Sequence, residues 1–156
     1  MASGEQPNRH CSVVVIEGAG VLIEGPSGAG KTSLALGLID TAKARGMRAV
    51  LVSDDQALLE ERQGRLFARA PEAIAGRAEI RGYGIVELAN VDECAIALVA
   101  RLVEDERIER MPEARATTLM GVEVAAIDLP ERHEQQATRI VLAWLKGSET
   151  GLTGDS

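Results

Sequence analysis

Gly25-Pro26-Ser27-Gly28-Ala29-Gly30-Lys31-Thr32 is the stretch of this 156-residue chain that decides its fold. It satisfies the phosphate-binding pattern G-x-x-x-x-G-K-[ST] at every fixed position. The apolar run Val21-Leu22-Ile23 precedes it, and Ser33–Ile39, which has the spacing of a helix, follows it. A strand, a glycine-rich loop and a helix start in this order are the context that the pattern requires. The sequence therefore predicts a nucleotide-phosphate site in an α/β protein, rather than a chance glycine-rich turn.

Each residue type in this loop has a physical role. Glycines let the backbone curl so that its N–H groups surround an anion, and the helix N-terminus adds the positive end of its dipole. Lys31 is expected to reach the β- and γ-phosphates as a point charge, and the Thr32 hydroxyl is expected to bind Mg²⁺. We therefore predict that residues 25–32 bind the nucleotide.

Composition limits the classes of partner. The net charge is −7, so no basic excess exists to neutralise the phosphates of a nucleic acid. Cys11 and Cys94 are far apart, and without a Cys/His cluster they indicate neither a zinc site nor a disulfide framework. The polar segment 1–9 lacks an apolar signal core, and no uncharged apolar run could span a bilayer. We expect a cytoplasmic protein that binds neither nucleic acid nor membrane.

The remaining patterns predict one domain over residues 10–147, between a flexible arm (1–9) and a disordered tail (148–156). Strands over 12–16 and 21–24, joined by a glycine-containing turn, are expected to form a β-hairpin that feeds the loop. The other predicted elements are strands over 49–52, 94–103 and 122–129, a hairpin over 57–70, and helices over 32–44 and 131–146, the last ending at Gly147. The strand over 49–52 is expected to be buried and parallel to its neighbours. The predicted fold is α/β, with a mixed sheet and a C-terminal helix.

Two acidic residues follow the predicted strand 49–52. Asp54 and Asp55 come at its carboxyl end, which faces the ligand crevice in an open α/β sheet. One carboxylate can bind Mg²⁺ while the other accepts a proton. A strand-end turn or a helix cap is the alternative interpretation of these two residues. The phosphate loop on the preceding strand favours the functional interpretation.

Two further positions stay open at this point. His10 precedes the predicted hairpin and would lie near the phosphate loop if the register is tight, but spacing alone favours a solvated side chain. Glu79-Ile80-Arg81-Gly82-Tyr83-Gly84 has two glycines beside opposite charges, which predicts a tight loop. A structural turn with a surface Glu–Arg pair explains the same residues equally well.

Several stretches together resemble the catalytic domain of HPr kinase/phosphorylase, a family that phosphorylates a serine of the phosphocarrier HPr in bacterial phosphotransferase systems. The similarity covers roughly His10 to Leu129. Its segments are His10-Cys11, Gly20–Thr32, Arg45-Gly46-Met47-Arg48, Ser53-Asp54-Asp55, Ala70-Pro71 and Glu79-Ile80-Arg81-Gly82-Tyr83-Gly84-Ile85-Val86. The last segment is the most specific, because a phosphate loop alone occurs in many unrelated enzymes.

The resemblance implies a P-loop kinase core, a role for ATP and Mg²⁺, and HPr as the protein partner. It implies that Lys31 and the loop hold the nucleotide and that Thr32 and Glu79 ligate Mg²⁺. The pair Asp54–Asp55 would supply the base that takes the proton from the serine hydroxyl, with Asp55 favoured. His10 is similar to an active-site residue of the family, and Arg110 falls where the family places a catalytic arginine. The family forms hexamers, so a homo-oligomer is implied as well.

Three departures from the family stand out. The family's amino-terminal domain has no counterpart here, so the chain resembles the short α-proteobacterial form. Residues 40–44 look like an insertion. Pro130-Glu131-Arg132-His133-Glu134 stands where the family has Pro-Val-x-x-Gly-Arg-Asn, a loop that supports dephosphorylation. The kinase expectation is unaffected, whereas the resemblance does not extend to the loop that supports the phosphorylase activity.

Two rival functions remain at this stage. One is a P-loop kinase for a small metabolite, a class that usually carries a lid with several arginines. The region after Glu104 is too short to indicate such a lid. The other is a non-catalytic ATP sensor, which has no need of a base. Asp54, Asp55 and Glu79 argue against the sensor, so the expected function is a serine kinase acting on HPr.

Overall fold

The computed structural model describes residues 7–104 and 115–150, with the side chains of 148–150 excepted. In these ranges the chain forms eleven strands and two α-helices, together with a 3-10 turn at Glu72–Ile74. The strands are β1 (Asn8–Arg9), β2 (Ser12–Ile16), β3 (Ala19–Glu24), β4 (Ala49–Ser53), β5 (Ala57–Arg62), β6 (Arg65–Arg69), β7 (Arg77–Ile80), β8 (Gly84–Glu87), β9 (Glu93–Val103), β10 (Arg115–Leu119) and β11 (Val122–Pro130). The helices are α1 (Lys31–Ala44) and α2 (Glu134–Thr150).

Nine of these strands form one mixed sheet. Its main path runs β1-β5-β6-β9-β3-β2-β4, and β11 joins at β9 with β10 on its far side. Strand β3, which leads into the phosphate loop, is parallel to β9 and antiparallel to β2. Strands β7 and β8 form a separate two-stranded hairpin. The predicted α/β fold with a mixed sheet, an N-terminal hairpin and a C-terminal helix is confirmed.

Alternating side chains of the central strands enter two cores, one on each face of the sheet. Val14 and Ile23 lie in the core that the two helices cover. Their neighbours Val13 and Leu22 lie in the opposite core, together with side chains of β5, β6 and β10. This period-two burial is what a strand covered on both faces requires. Strand β3 is thus fixed from both sides, and so is the loop that follows it.

The orientation predicted for the 49–52 strand was wrong. Strand β4 pairs antiparallel with β2, with Val14 opposite Leu51 and Ile16 opposite Ala49. The chain leaves β3 through α1 and returns on the far side of β2, so β3 and β4 run in the same direction but are not adjacent. This placement puts the carboxyl ends of β3 and β4 on the same edge of the sheet. The residues that follow both strands therefore meet there.

Both predicted ends of the domain need correction. Asn8 and Arg9, predicted to belong to the arm, pair with Leu58 and Ala57 of β5. Helix α2 begins at Glu134 rather than at residue 131, and its backbone continues through Gly147 to Thr150. A glycine inside a helix costs only about 1 kcal/mol relative to alanine, so it does not have to end one. Residues 105–114 and 151–156 lie outside the described ranges.

Other predicted elements match the structure closely. The hairpin over 57–70 is present as β5 and β6, and the helix over 32–44 is α1. Strand β10 was not predicted, because its segment RATTL lacks a continuous apolar pattern. Neither α1 nor α2, the helices found in the described ranges, is long and apolar enough to cross a lipid bilayer.

Candidate functional site: a phosphate loop facing an aspartate–histidine pair

The phosphate loop occupies the connection between β3 and α1. Gly28 and Gly30 have φ values of +83° and +101°, the left-handed region in which only glycine is unstrained. A Cβ on Gly25 would lie 3.0 Å from Leu102 Cβ, so the loop also starts at a tight backbone approach. The glycines of the pattern are therefore required by the backbone path itself.

Lys31 is buried and folds back over the loop. Its Nζ donates to the carbonyl oxygens of Gly25, at 2.9 Å, and of Pro26, at 3.2 Å. These bonds use two of the three N–H donors of the ammonium group. The described part of the chain has no ion pair at Lys31, and the ammonium group lies at the point where the pattern places phosphate oxygens.

Glu24, the last residue of β3, is held by two arginines. Arg9 Nη2 lies 2.8 Å from Glu24 Oε1, and Arg101 Nε lies 3.1 Å from Glu24 Oε2. The three side chains come from three strands, β1, β3 and β9. This cluster fixes the strand end from which the loop departs.

Asp54 connects three elements at the edge of the sheet. Its Oδ1 accepts hydrogen bonds from Ser12 Oγ, at 2.7 Å, and from Thr32 Oγ1, at 2.8 Å. The carboxylate is buried, and so is Ser12 at the start of β2. A buried carboxylate next to the loop threonine supplies the oxygen ligands that Mg²⁺ prefers. Sequence reasoning did not identify Ser12, because no motif in the chain marks it.

Asp55 points to a different partner from its neighbour. Its Oδ1 lies 2.7 Å from His10 Nε2, and both side chains are more than half exposed. Asp55 has φ = +74°, an uncommon conformation for a non-glycine residue that turns consecutive carboxylates apart. The backbone N–H of Cys11 donates to Asp55 O at 3.1 Å and so holds His10 in place. His10 therefore lies near the loop, and its side chain is also in contact with solvent.

One cavity of about 500 Å³ brings most of the predicted site residues together. His10, Lys31, Thr32, Asp55 and Glu79 all line it. Glu79 belongs to β7, which contacts α1 and pairs with β8 in a hairpin. Asp54 lies behind Thr32, and Arg110 lies outside the described residues.

No group of three or more His, Cys, Asp or Glu side chains within residues 7–104 and 115–150 is close enough to hold a metal ion by itself. Glu79 lines the cavity without joining such a group. Mg²⁺ in nucleotide sites is usually held by one or two protein ligands together with phosphate oxygens. The pair Thr32–Asp54 fits that arrangement.

Cys11, next to His10 in the chain, is not a candidate nucleophile. Its side chain is fully buried, and burial raises the pKa of the thiol from 9.0 to about 12. Burial likewise raises the pKa of Cys94 to about 12. Because only a thiolate attacks efficiently, both residues are structural.

Arg132 is a further residue at the site that sequence reasoning did not assign. Its backbone N–H donates to Ala29 O at 3.1 Å, and its Nε donates to Gly28 O at 3.3 Å. Arg132 has φ = +61°, which explains why α2 starts later than predicted. Two bonds to consecutive loop carbonyls tie the start of α2 to the phosphate loop.

Comparison with known proteins finds HPr kinase/phosphorylases of several bacteria among the relatives of this chain. An HPr kinase/phosphorylase of Clostridium beijerinckii is 31% identical over 145 residues, which cover 86% of this chain and 46% of that protein. An HPr kinase/phosphorylase of Chlorobium chlorochromatii is 36% identical over 135 residues, which cover 78% of this chain and 38% of that protein. The chain thus spans less than half the length of either relative.

A solved structure has the same fold. The Hpr(Ser) kinase/phosphatase from Coxiella burnetii superposes with a TM-score of 0.76 at 28% identity, covering 91% of this chain and 98% of that one. The family model described as the HPr Serine kinase C-terminal domain matches residues 2–151, nearly the whole sequence. By this match the chain belongs to the HPr serine kinase C-terminal domain family.

Proposed function

We propose that this chain transfers the γ-phosphoryl group of ATP to a serine hydroxyl of HPr. The observation that carries the proposal is the position of the Asp55–His10 pair, which shares one cavity with Lys31 and Thr32 of the phosphate loop. A small-metabolite kinase or an ATP sensor would explain the loop. A sensor has no need of this exposed carboxylate, and membership in this family favours a protein substrate over a small metabolite.

The step needs one base and little covalent chemistry from the protein. The serine oxygen bonds to the γ-phosphorus, the bond from that phosphorus to the β–γ bridging oxygen breaks, and ADP leaves. Asp55 takes the serine proton, and its exposed carboxylate suits a bulky protein substrate. His10 orients Asp55 through their 2.7 Å contact. Catalysis of this kind is mostly positioning and charge stabilisation.

Asp54 has the other role in this proposal. Together with Thr32 Oγ1, 2.8 Å away, it would hold Mg²⁺, and Glu79 would approach the same ion from across the cavity. When bound, the ion neutralises charge on the β- and γ-phosphates. Lys31 would contact those phosphates, and Arg110 would supply a further cation by its resemblance to the family's catalytic arginine.

The partner and assembly follow from the family resemblance. We propose HPr as the protein substrate, a homo-oligomer (a hexamer) as the assembly, and the cytoplasm as the location. We do not extend the proposal to the phosphorylase reaction, because residues 130–134 replace the loop that supports it in the family.

The direct test combines the purified chain with HPr, ATP and Mg²⁺. The expected product is phosphoserine on HPr, identified by mass spectrometry, with ADP formed in equal amount. A parallel sample with phosphoserine-HPr and inorganic phosphate in place of HPr and ATP tests the dephosphorylation of HPr. ATP turnover with a small hydroxyl compound but not with HPr would favour the metabolite kinase. Binding of ATP without any turnover would favour the sensor.

A further inference from the structure

A second cavity lies against the phosphate loop. Its volume is about 300 Å³, and it lies between the loop, the β7–β8 turn and the start of α2. It shares Gly28, Gly30, Ser33 and Arg81 with the larger cavity, so the two adjoin along the loop. Nothing in the transfer step described above uses it.

The residues that differ between the two cavities indicate that each cavity would hold a different end of a nucleotide. Lys31, Thr32 and Asp55 line the larger cavity and not the smaller one. In a phosphate loop, the lysine and the threonine mark the γ-phosphate and metal end, while the backbone N–H groups cradle the α- and β-phosphates. The smaller cavity therefore adjoins the end of the loop from which the nucleoside must extend.

The lining of the smaller cavity suits a base and a sugar. The lining has an apolar wall of Leu34, Leu102 and Pro130, together with the ionisable residues Arg81, Arg132, His133 and Glu134. Bases stack favourably on guanidinium planes as well as on aromatic rings. This chain has only one Trp, one Tyr and one Phe, and none of the three lines the cavity. A volume of about 300 Å³ is at the lower end of the range for small-molecule sites.

Arg132 is fixed relative to the loop that would hold the phosphates. It contacts the carbonyl oxygens of Gly28 and Ala29, yet its side chain is 68% exposed. The guanidinium group thus bonds to the loop through Nε and pairs with Glu131 through Nη1, which lies 3.2 Å from Glu131 Oε1. A ligand that fills the cavity would meet it at a defined distance from the α-phosphate.

We infer that the nucleoside of the phosphoryl donor binds in this smaller cavity, with its base between the apolar wall and the Arg81 and Arg132 guanidinium groups. The inference rests on the proposed function, since it assumes that a nucleotide occupies the loop. It assigns a role to Arg132 in the segment that departs from the family pattern.

The test separates the nucleoside from the phosphates. Isothermal titration calorimetry with Mg²⁺ measures the Kd of ATP and the Kd of inorganic tripolyphosphate for the wild type, Arg81→Ala and Arg132→Ala. Arg132→Ala should raise the Kd of ATP about tenfold, the scale of one lost base-stacking contact, while changing that of tripolyphosphate less than about twofold. Arg81→Ala should raise the Kd of both ligands, because Arg81 also lines the larger cavity that takes the phosphates. Arg139→Ala, which removes an exposed α2 arginine outside this cavity, is the matched control for net charge and should change neither.

A second experiment locates the base on the wild-type protein and needs no variant. Photolabelling of the wild type with 8-azido-ATP should modify peptides that contain residues 81 or 130–134, and excess ATP should suppress the labelling. Equal weakening of ATP and tripolyphosphate in Arg132→Ala, unchanged ATP binding in that variant, or labelling elsewhere would each overturn the inference. A wild type that binds ATP no more tightly than tripolyphosphate would also overturn it while leaving the proposed function intact. If the wild type binds neither ligand, the proposed function itself fails.

Discussion

His10 Nε2 lies 2.7 Å from Asp55 Oδ1, although 45 positions separate the two residues in the chain. The antiparallel pairing of β2 with β4 brings them together, because His10 precedes one strand and Asp55 follows the other. Asp54, one residue earlier, is buried and bonds to Ser12 and Thr32 instead. Adjacent carboxylates therefore have separate environments, one exposed and one enclosed, and the first three predictions follow from that separation.

Replacing Asp55 should abolish transfer and leave nucleotide binding nearly intact. Asp55→Asn removes the proton acceptor but keeps the size of the side chain, so kcat for phosphoserine formation should fall by about 10²- to 10⁴-fold. Asp40→Asn, at an exposed position of α1 outside the cavity, is the matched control. A large loss of ATP affinity in Asp55→Asn, or an unchanged kcat, would count against the role of base.

Replacing His10 should have a smaller effect on the same step. His10→Ala removes the contact that orients Asp55, and a hydrogen bond to a charged group is worth about 1.5–3 kcal/mol, so kcat should fall by roughly tenfold or more. His10→Gln keeps a polar group within reach and should recover part of the activity. Steady-state kinetics should show the change in kcat with the KM for ATP preserved. Equal defects in the two variants would argue against an orienting role.

The two ways of replacing Asp54 should have different consequences. Asp54→Ala leaves the hydroxyls of Ser12 and Thr32 without their acceptor, which should lower the free energy of unfolding by about 1–3 kcal/mol. Asp54→Asn retains an acceptor oxygen and should be more stable than Asp54→Ala. Because it lacks the charge, it should bind Mg²⁺-ATP at least about tenfold more weakly, a loss of ~1.4 kcal/mol. Thermal unfolding and calorimetric titration separate the two effects. Wild-type affinity for Mg²⁺-ATP in Asp54→Asn would exclude this residue as a metal ligand.

Two glycine-to-alanine substitutions should have different effects on the free energy of unfolding. A Cβ on Gly20 would overlap Ala95 O and lie 2.6 Å from Cys94 Sγ, so Gly20→Ala should destabilise the protein by about 1–3 kcal/mol. A Cβ on Gly37 would meet only the end of the Glu134 side chain, which can move aside. Since alanine is favoured over glycine in a helix by roughly 0.5–1 kcal/mol, Gly37→Ala should leave stability unchanged or raise it. Urea midpoints at constant m-value give the comparison. A destabilised Gly37→Ala would mean that the Glu134 side chain cannot move aside.

The buried thiols should make the protein lose stability in alkali. Burial raises the pKa of Cys11 and of Cys94 from 9.0 to about 12, so between these values the unfolded state has released protons that the folded state still holds. The free energy of unfolding should therefore be unaffected below pH 9. Above it, the free energy should fall by up to about 1.4 kcal/mol per pH unit for each thiol. Urea denaturation at pH 8–11 should show a shallower decline for the double variant Cys11→Ala/Cys94→Ala. Identical slopes would show that other groups cause the alkaline loss.

Local sequence patterns were sufficient to predict the elements whose structure depends on residues close together in the chain. The loop 25–32, the helix that follows it and the hairpin over 57–70 were predicted because glycine conformations, helical periodicity and turn residues act over a few positions. The orientation of β4 was not predictable in this way, since it depends on where the chain returns after α1. The start of α2 was missed because Arg132 adopts a left-handed conformation to reach the loop.

The sequence by itself determined that a phosphate-binding loop lies between a strand and a helix, and that two carboxylates follow the next strand. Only the tertiary structure decided which carboxylate faces the cavity, because Asp54 and Asp55 are indistinguishable by spacing and differ in their partners, Ser12 and His10. It also decided that Arg132 contacts the loop, 104 positions from Gly28. Contacts across such distances depend on strand order and helix packing, which no short pattern in the chain encodes.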